Sequence, residues 1–127
     1  SLLFYKLAQQ GIKGNMLRCI QNIYTDCKAA VNVNGFITPW FDTEYGVRQG
    51  DSLSPTLFGI FINDMVTNVN ELSLGIDING RRVSCLLYAD DLALIADSEA
   101  DLQLLLNSVH NWCYRSRTFC LVLKQYK

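Results

Sequence analysis

The chain has 127 residues, of which 50% are apolar and 18% charged, with 11 Lys+Arg against 12 Asp+Glu. This composition gives no sign of a disordered tail, of a membrane-spanning run of roughly 18–20 apolar residues, or of a basic nucleic-acid-binding surface. The length allows one domain or a piece of one, and a chain running from Ser1 to Lys127 without an initiating Met is expected to be an excerpt of a longer protein.

The first half of the sequence predicts two helices and a hairpin. Apolar residues recur at helical spacing over the first 24 residues, and Gly11 is suited to end the first helix. Asn34 and Gly35 lie between two short apolar runs and predict a hairpin, because both tolerate a positive φ. Residues 42–47 are predicted to extend the second strand of that hairpin.

A glycine-containing loop precedes the third predicted helix. Ser54 is predicted as its N-cap and Pro55 as its first residue, and an apolar stripe continues to Val69. Free N–H groups and the positive dipole end at such a helix start suit a phosphate or nucleotide. Gly50 permits a positive φ, and Arg48 supplies a nearby positive charge. An ordinary strand-to-helix connection remains the alternative.

The second half predicts a further hairpin, a helix and a strand. A second Asn-Gly pair separates residues 76–78 from residues 83–88. Ser98, with Asp101 three residues later, resembles a capping box that opens the last helix. The tail from residue 119 is interpreted as a final strand. The order of elements predicts an α+β fold with an antiparallel sheet.

Asp90 and Asp91 are the first candidates for chemistry. They lie between the apolar runs 85–89 and 92–96, which predict buried strands joined by a tight turn. Two adjacent anions repel each other, and a divalent cation with a preference for oxygen ligands, such as Mg²⁺, offsets that repulsion. The alternative is that Asp is a favoured turn residue and that the pair is merely solvated.

The five cysteines and the single histidine argue against a metal site built from several cysteines or histidines. No CxxC pair is present, and the number of cysteines is odd. This pattern disfavours a zinc ribbon or a disulfide scaffold and predicts reduced core thiols in an intracellular protein.

Two segments in a fixed order point to one family. Residues 46–58 have the sequence Gly-Val-Arg-Gln-Gly-Asp-Ser-Leu-Ser-Pro-Thr-Leu-Phe, and residues 87–91 have the sequence Leu-Tyr-Ala-Asp-Asp. They resemble motif B and the Tyr-x-Asp-Asp motif C of the reverse transcriptase family. The alanine in motif C and the amino-acid sequence of motif B are most similar to those of the non-LTR (LINE-type) retrotransposon branch. Residues 2–24 are similar to the helical stretch between motifs A and B, so that the resemblance covers nearly the whole chain.

The resemblance implies a palm-like fold and a set of site residues. Residues 1–127 would form an incomplete palm, an antiparallel sheet backed by helices, with the motif C hairpin at the active site. Asp90 would be a ligand of the catalytic metals, and Asp91 a nearby carboxylate with a weaker ligand role. The residues implied to contact nucleotide, template or primer end are Arg48, Gln49, Gly50, Asp51, Ser52 and Tyr88.

The resemblance also implies a reaction and its partners. A primer 3′-hydroxyl would attack the α-phosphate of a dNTP, with RNA as template and DNA as primer. Two metal ions would assist this in-line phosphoryl transfer. Mg²⁺ is the expected ion, with Mn²⁺ as an alternative. The chain would be part of a polyprotein that acts inside the cell, in the nucleus, the cytoplasm or both, without a membrane partner.

Departures from the family pattern limit the expected activity. Motif A, with its metal-binding Asp, the start of the fingers and the thumb are expected to lie outside these residues. Lys124 is a candidate for the motif D lysine, but Leu121 stands where the family usually has Asn. Residues 115–127 are also a candidate for a degenerate or out-of-frame segment. The 127 residues alone are therefore expected to be inactive.

Two other functions compete with the polymerase interpretation. The first is a non-catalytic retrotransposon remnant, or a domesticated palm-fold binding module. The second is a palm-fold nucleotide cyclase, which is disfavoured because no Gly-Gly-Asp/Glu-Glu-Phe box is present.

Overall fold

The computed structural model describes residues 2–43, 46–48 and 50–118. These residues form an α+β fold, as predicted. The helices are α1 (Leu2–Gln9), α2 (Gly14–Ile23), α3 (Ser54–Glu71) and α4 (Glu99–Ser116). The strands are β1 (Lys28–Ala29), β2 (Asn32–Val33), β3 (Phe36–Ile37), β4 (Phe41–Asp42), β5 (Ile76–Ile78), β6 (Arg81–Val83), β7 (Cys85–Tyr88) and β8 (Asp91–Leu94). The final strand predicted from residue 119 lies outside the described residues.

The strands pair two by two and antiparallel. The pairs are β1–β4, β2–β3, β5–β6 and β7–β8, so the predicted antiparallel sheet is present as small ribbons within the described ranges. The chain divides into two compact units, residues 1–60 and residues 61–127.

The first unit has a small apolar core built on α1, α2 and the start of α3. Leu7, Ile20 and Leu57 are its buried members. Gly11 ends α1 with a φ of +89°, as predicted. The N–H of Gly11 donates to the carbonyl of Ala8 and that of Ile12 to the carbonyl of Leu7, which pairs two carbonyls at the end of the helix.

The first hairpin has the predicted turn. Asn34 and Gly35 have φ values of +51° and +87°, and β2 pairs with β3 on either side of them. The ribbon continues through β1 and β4, up to the hydrogen bond from Thr43 N to the carbonyl of Cys27. Beyond that point the predicted extension is wrong for residues 46 and 47. Gly46 has a φ of +96°, outside the extended region, and neither residue belongs to a strand.

The second unit is built on the C-terminal half of α3 and on α4. Phe61 and Trp112 form an edge-to-face ring pair with centroids 5.5 Å apart. The buried apolar residues of these helices are Ile62, Met65, Val69, Leu105, Val109, Trp112 and Cys113. Ser98 caps α4 as predicted, since its hydroxyl accepts a hydrogen bond of 3.1 Å from Asp101 N.

The predicted strand 83–88 is divided at Ser84. This buried serine donates from its hydroxyl to Asn70 Oδ1 (3.0 Å), and its carbonyl accepts from Ile95 N. The chain therefore leaves the β5–β6 hairpin and enters the β7–β8 hairpin at a residue fixed by α3.

Three of the cysteines are free thiols, as predicted: Cys19, Cys27 and Cys85. The predicted core position is wrong for Cys19, because α2 buries the neighbouring Ile20 and leaves Cys19 exposed. Burial raises the pKa of the Cys85 thiol, which disfavours the reactive thiolate. Cys113 is disulfide-bonded, so the prediction of a reduced thiol is wrong for that residue. The reason is that a disulfide depends on the distance between two Cα atoms in space, which sequence spacing does not give.

Within the described residues, no helix combines the length and the apolar character that crossing a membrane requires.

Gly75 is predicted to be intolerant of any side chain. Its φ is +106°, and a Cβ there would lie 2.3 Å from the carbonyl oxygen of Val83. Gly75→Ala is expected to destabilise the protein by about 2–4 kcal/mol through overpacking and backbone strain. Gly59→Ala is the matched control, because that position in α3 has open space around it, and it should stabilise by about 0.5–1 kcal/mol. Urea unfolding measures both values, and equal effects of the two variants would contradict the packing argument.

Candidate active site

The carboxylate pair lies at the closed end of the β7–β8 hairpin. Tyr88 pairs with Asp91, which leaves Ala89 and Asp90 as a two-residue loop. The tight turn is therefore present, but shifted by one residue from the prediction: Asp90 is at the tip and Asp91 is the first residue of β8. The two carboxylates are carried by adjacent residues on a short, paired backbone segment.

Ala89 has an unusual backbone conformation. Its φ is +50°, in the left-handed region that favours glycine. The other two hairpin loops consist of Asn-Gly pairs, Asn34-Gly35 and Asn79-Gly80, and all four of these residues have a positive φ. An alanine in this region costs about 1–2 kcal/mol, and such strain in proteins clusters at functional sites. The turn next to the carboxylates is thus the one hairpin loop of the three described that is made without glycine.

The β7–β8 hairpin is open on one face, which contradicts the prediction of buried strands. Leu86 and Tyr88, which alternate on that face, are 59% and 84% exposed. The opposite face includes the partly buried Cys85, Leu92 and Leu94, and α4 packs against β8. The prediction was wrong because a continuous apolar run indicates burial on both faces only when a second layer covers the strand. No such layer lies over Leu86 and Tyr88 among the described residues.

The carboxylates of Asp90 and Asp91 are solvent-exposed. Within the part of the chain that the structure describes, neither forms an ion pair or a side-chain hydrogen bond. Two neighbouring carboxylates with free oxygens are the donor set that a hard divalent cation prefers, so the residues fit such an ion. The described ranges hold no cluster of three or more His, Cys, Asp or Glu that could hold a metal.

The glycine-containing loop precedes α3 in the first unit. Gly50 has a φ of +82°, and no atom lies within 4 Å of the place a Cβ would take. Glycine is thus suited here by its backbone conformation and not by a close neighbour. Arg48 and Ser52 are exposed and accessible to a ligand, whereas Gln49 lies outside the described residues, as does Lys124.

Asp51 accepts two hydrogen bonds from the backbone at the start of α3. Asp51 Oδ1 accepts from Leu53 N (3.1 Å), and its main-chain carbonyl accepts from Ser54 N (3.2 Å). The helix begins at Ser54, whose hydroxyl donates instead to the carbonyl of Arg48 (2.6 Å). The prediction of Ser54 as N-cap is therefore wrong, because the buried hydroxyl is directed back to the loop and not to its own helix.

Two residues near the end of α2 contact this loop, and neither was predicted from the sequence. The Tyr24 hydroxyl donates to Asp51 Oδ2 (3.3 Å) and is hydrogen-bonded to Ser54 Oγ (3.2 Å). Arg48 Nη2 donates to Cys27 Sγ (3.1 Å), and this hydrogen bond raises the pKa of Arg48. Tyr24 and Asp51 are 27 residues apart, so no local pattern links them.

The structure thus brings the candidate residues together in two groups. Arg48 and Asp51 belong to the glycine-containing loop, which lies in the first unit (residues 1–60). Tyr88, Asp90 and Asp91 belong to the β7–β8 hairpin, which lies in the second unit (residues 61–127). A short hairpin with two free carboxylates and a glycine loop leading into a helix are features of phosphoryl-transfer proteins that bind divalent metals.

Comparison with known proteins identifies the class. The sequence profile of the family described as "Reverse transcriptase (RNA-dependent DNA polymerase)" matches residues 2–121. The chain therefore belongs to the reverse transcriptase family, which confirms the identification made from motifs B and C. Members of this family generally use divalent metal ions and act on a nucleic-acid template and primer with dNTPs.

The chain is also similar to individual proteins, all of them Pol polyproteins of R2 retrotransposable elements. The chain is 33% identical, over 118 residues, to the retrovirus-related Pol polyprotein from type-1 retrotransposable element R2 of Popillia japonica. It is 28% identical over 105 residues to that from type-2 element R2DM of Drosophila melanogaster, and 31% identical over 94 residues to that from type-1 element R2 of Nasonia vitripennis. These matches cover 92%, 83% and 74% of the chain, but only 19%, 10% and 9% of the relatives. The chain spans a fifth or less of the relatives it matches, and they support its resemblance to the non-LTR branch.

Ala89→Gly is predicted to stabilise the carboxylate hairpin. Glycine removes the left-handed strain at φ +50°, and the free energy of unfolding should rise by about 0.5–1 kcal/mol. The control is Ala93→Gly in β8 of the same hairpin, where the lost strand propensity should destabilise by about 0.5–1 kcal/mol. Urea unfolding distinguishes the two, and a loss of stability in both variants would show that Ala89 is not strained.

Proposed function

We propose that this chain is part of an RNA-directed DNA polymerase, which adds dNTPs to a primer 3′-hydroxyl with RNA as template. The observation that carries the proposal is the Asp90-Asp91 pair at the end of a two-residue hairpin loop, in a chain that matches the family over residues 2–121. The names of the relatives support a place in a larger Pol polyprotein of a non-LTR retrotransposable element.

Asp90 and Asp91 are the proposed catalytic carboxylates and the proposed metal ligands. Their adjacency and exposure support a shared cation, with Mg²⁺ proposed and Mn²⁺ as the alternative. When bound, the ion would supply charge stabilisation for the phosphate oxygens during transfer. Tyr88, which is opposite Asp91 in register and 84% exposed, would lie close to the primer end.

The loop of residues 48–52 is the proposed contact to the incoming nucleotide and the template base. Arg48 and Ser52 are exposed, Gly50 sets the turn, and Gln49 is included from the family resemblance. Asp51 belongs to the same loop, and both of its carboxylate oxygens are hydrogen-bonded within the chain, so its contribution is to the shape of the loop. Lys124 is the proposed motif D lysine.

The 127 residues are proposed to be part of the palm, with motif A, the start of the fingers and the thumb supplied by the rest of the polyprotein. The chain spans 19%, 10% and 9% of three relatives that it matches, which supports a place in a larger protein. The polyprotein is proposed to act inside the cell, in the nucleus, the cytoplasm or both, and the isolated chain is expected to be inactive.

Asp90→Asn in the polyprotein is the test of the catalytic role. Losing the ligand charge should lower the rate of dNTP incorporation on a primed RNA template by about 10³-fold or more, while the thermal midpoint is unchanged. Asp77→Asn is the matched control, because Asp77 is an exposed carboxylate on the β5–β6 hairpin whose Oδ1 accepts from Gly80 N, and asparagine retains that acceptor. Normal extension by Asp90→Asn would overturn the proposal in favour of a non-catalytic remnant.

Metal removal gives a second prediction. Chelation with EDTA should abolish incorporation by the polyprotein, and added Mg²⁺ should restore it, with Mn²⁺ also effective. Incorporation is measured across a titration of each metal. Full activity in the presence of excess chelator would contradict a role for Asp90 and Asp91 as metal ligands.

A further inference from the structure

We propose that Tyr24 is a positioning residue that fixes the conformation of the nucleotide-binding loop through Asp51 and Ser54. The inference rests on the proposed function for its consequence in catalysis, and on the structure for the contacts themselves. Tyr24 lies at the C-terminal end of α2, outside motifs B and C.

The Tyr24 hydroxyl contacts two side chains at the end of the loop, Asp51 and Ser54. This hydroxyl lies 3.3 Å from Asp51 Oδ2 and 3.2 Å from Ser54 Oγ. The Ser54 hydroxyl uses its single proton for the carbonyl of Arg48, at 2.6 Å. The Tyr24 hydroxyl is therefore the donor in this group, with one proton and two acceptors.

The contact joins segments that are far apart in sequence. Tyr24 and Ser54 are 30 residues apart. The other hydrogen bonds of Asp51 in the described residues are to its neighbours Leu53 and Ser54. The second contact from the same region, Arg48 Nη2 to Cys27 Sγ, lies on the exposed edge of the loop. Residues 24–27 thus hold the loop at both ends, and Tyr24 makes the part-buried contact.

Loss of the Tyr24 hydroxyl should change the loop more than the fold. The ring remains packed against the core of Leu7, Ile20 and Leu57, and the buried Ser54 hydroxyl keeps its bond to Arg48. Asp51 Oδ2 loses its partner, and residues 48–52 gain alternative conformations. Nucleotide binding should weaken, while the carboxylates of Asp90 and Asp91 are unaltered. The signature of a positioning role is therefore a rise in KM for dNTP without an equal fall in kcat.

Tyr24→Phe in the polyprotein tests this inference. We expect KM for dNTP to rise roughly fivefold to tenfold, the effect of losing one part-buried hydrogen bond, with kcat within about twofold of the parent. The matched control is Tyr5→Phe, since Tyr5 is an exposed helical tyrosine whose hydroxyl only accepts a local hydrogen bond from Gln9. It should change neither constant. An unchanged KM in Tyr24→Phe, or the same rise in Tyr5→Phe, would overturn the proposal, whatever happens to the thermal midpoint.

A double-mutant cycle tests the contact from both sides. Asp51→Ala, which removes the acceptor of the Tyr24 hydroxyl, should raise KM at least as much, and the Tyr24→Phe/Asp51→Ala pair should be no worse than Asp51→Ala alone. Effects that multiply would show that Tyr24 does not act through Asp51. If Tyr24→Phe fails to fold, Asp51→Ala alone must still show the KM rise without a matching loss of kcat, and its absence overturns the proposal.

Hydrogen exchange separates this inference from the proposed function. The amide of Leu53, which donates to Asp51 Oδ1, should exchange faster in Tyr24→Phe than in Tyr5→Phe. If the unmodified polyprotein incorporates no dNTP, the polymerase proposal fails, and this exchange rate alone decides the positioning role. Unchanged exchange of the Leu53 amide would then refute it.

Discussion

The buried hydroxyl of Ser54 is the constraint on which the geometry of the glycine loop depends. A hydroxyl removed from water costs about 1–3 kcal/mol unless it is hydrogen-bonded, and Ser54 is only 6% exposed at the start of α3. It meets this need by donating to the carbonyl of Arg48 and by contact with Tyr24. Because Leu57, one turn further along α3, belongs to the apolar core with Leu7 and Ile20, the loop is fixed to the best-packed part of its unit.

The carboxylate hairpin is built on a different principle. Its conformation comes from strand pairing and from one strained turn residue, Ala89, and its reactive groups are open to solvent. The loop is held by a buried hydroxyl and by hydrogen bonds to residues distant in sequence, whereas the hairpin is held by the pairing of its own two strands. Each arrangement suits its proposed role, since a nucleotide-binding loop must have a defined shape and metal-binding carboxylates must remain free of protein partners.

The sequence predicted the features that are local and failed at those that are not. Gly11, Asn34-Gly35 and the Ser98 cap were found because their geometry depends on residues a few positions apart. The prediction that Ser54 caps α3 was wrong, and the role of Tyr24 was not predicted. The orientation of both hydroxyls depends on contacts between residues that are 27 or 30 positions apart. The prediction that residues 85–88 are buried was wrong, because an apolar run does not show whether a second layer covers the strand. The near-neutral charge gave no sign of nucleic acid, while motifs B and C, which the family match confirms, did.

The two-residue loop at Ala89 and Asp90 also sets what kind of genetic change this region can absorb. Side chains alternate between the two faces of a strand, so an insertion or deletion of a single residue there would shift the pairing of Tyr88 with Asp91 by one. Leu92 and Leu94 would then exchange faces with Asp91 and Ala93, and the side packed by α4 would receive a charge. Drift in copies of this gene segment is thus expected to accumulate here as substitutions and not as changes in length.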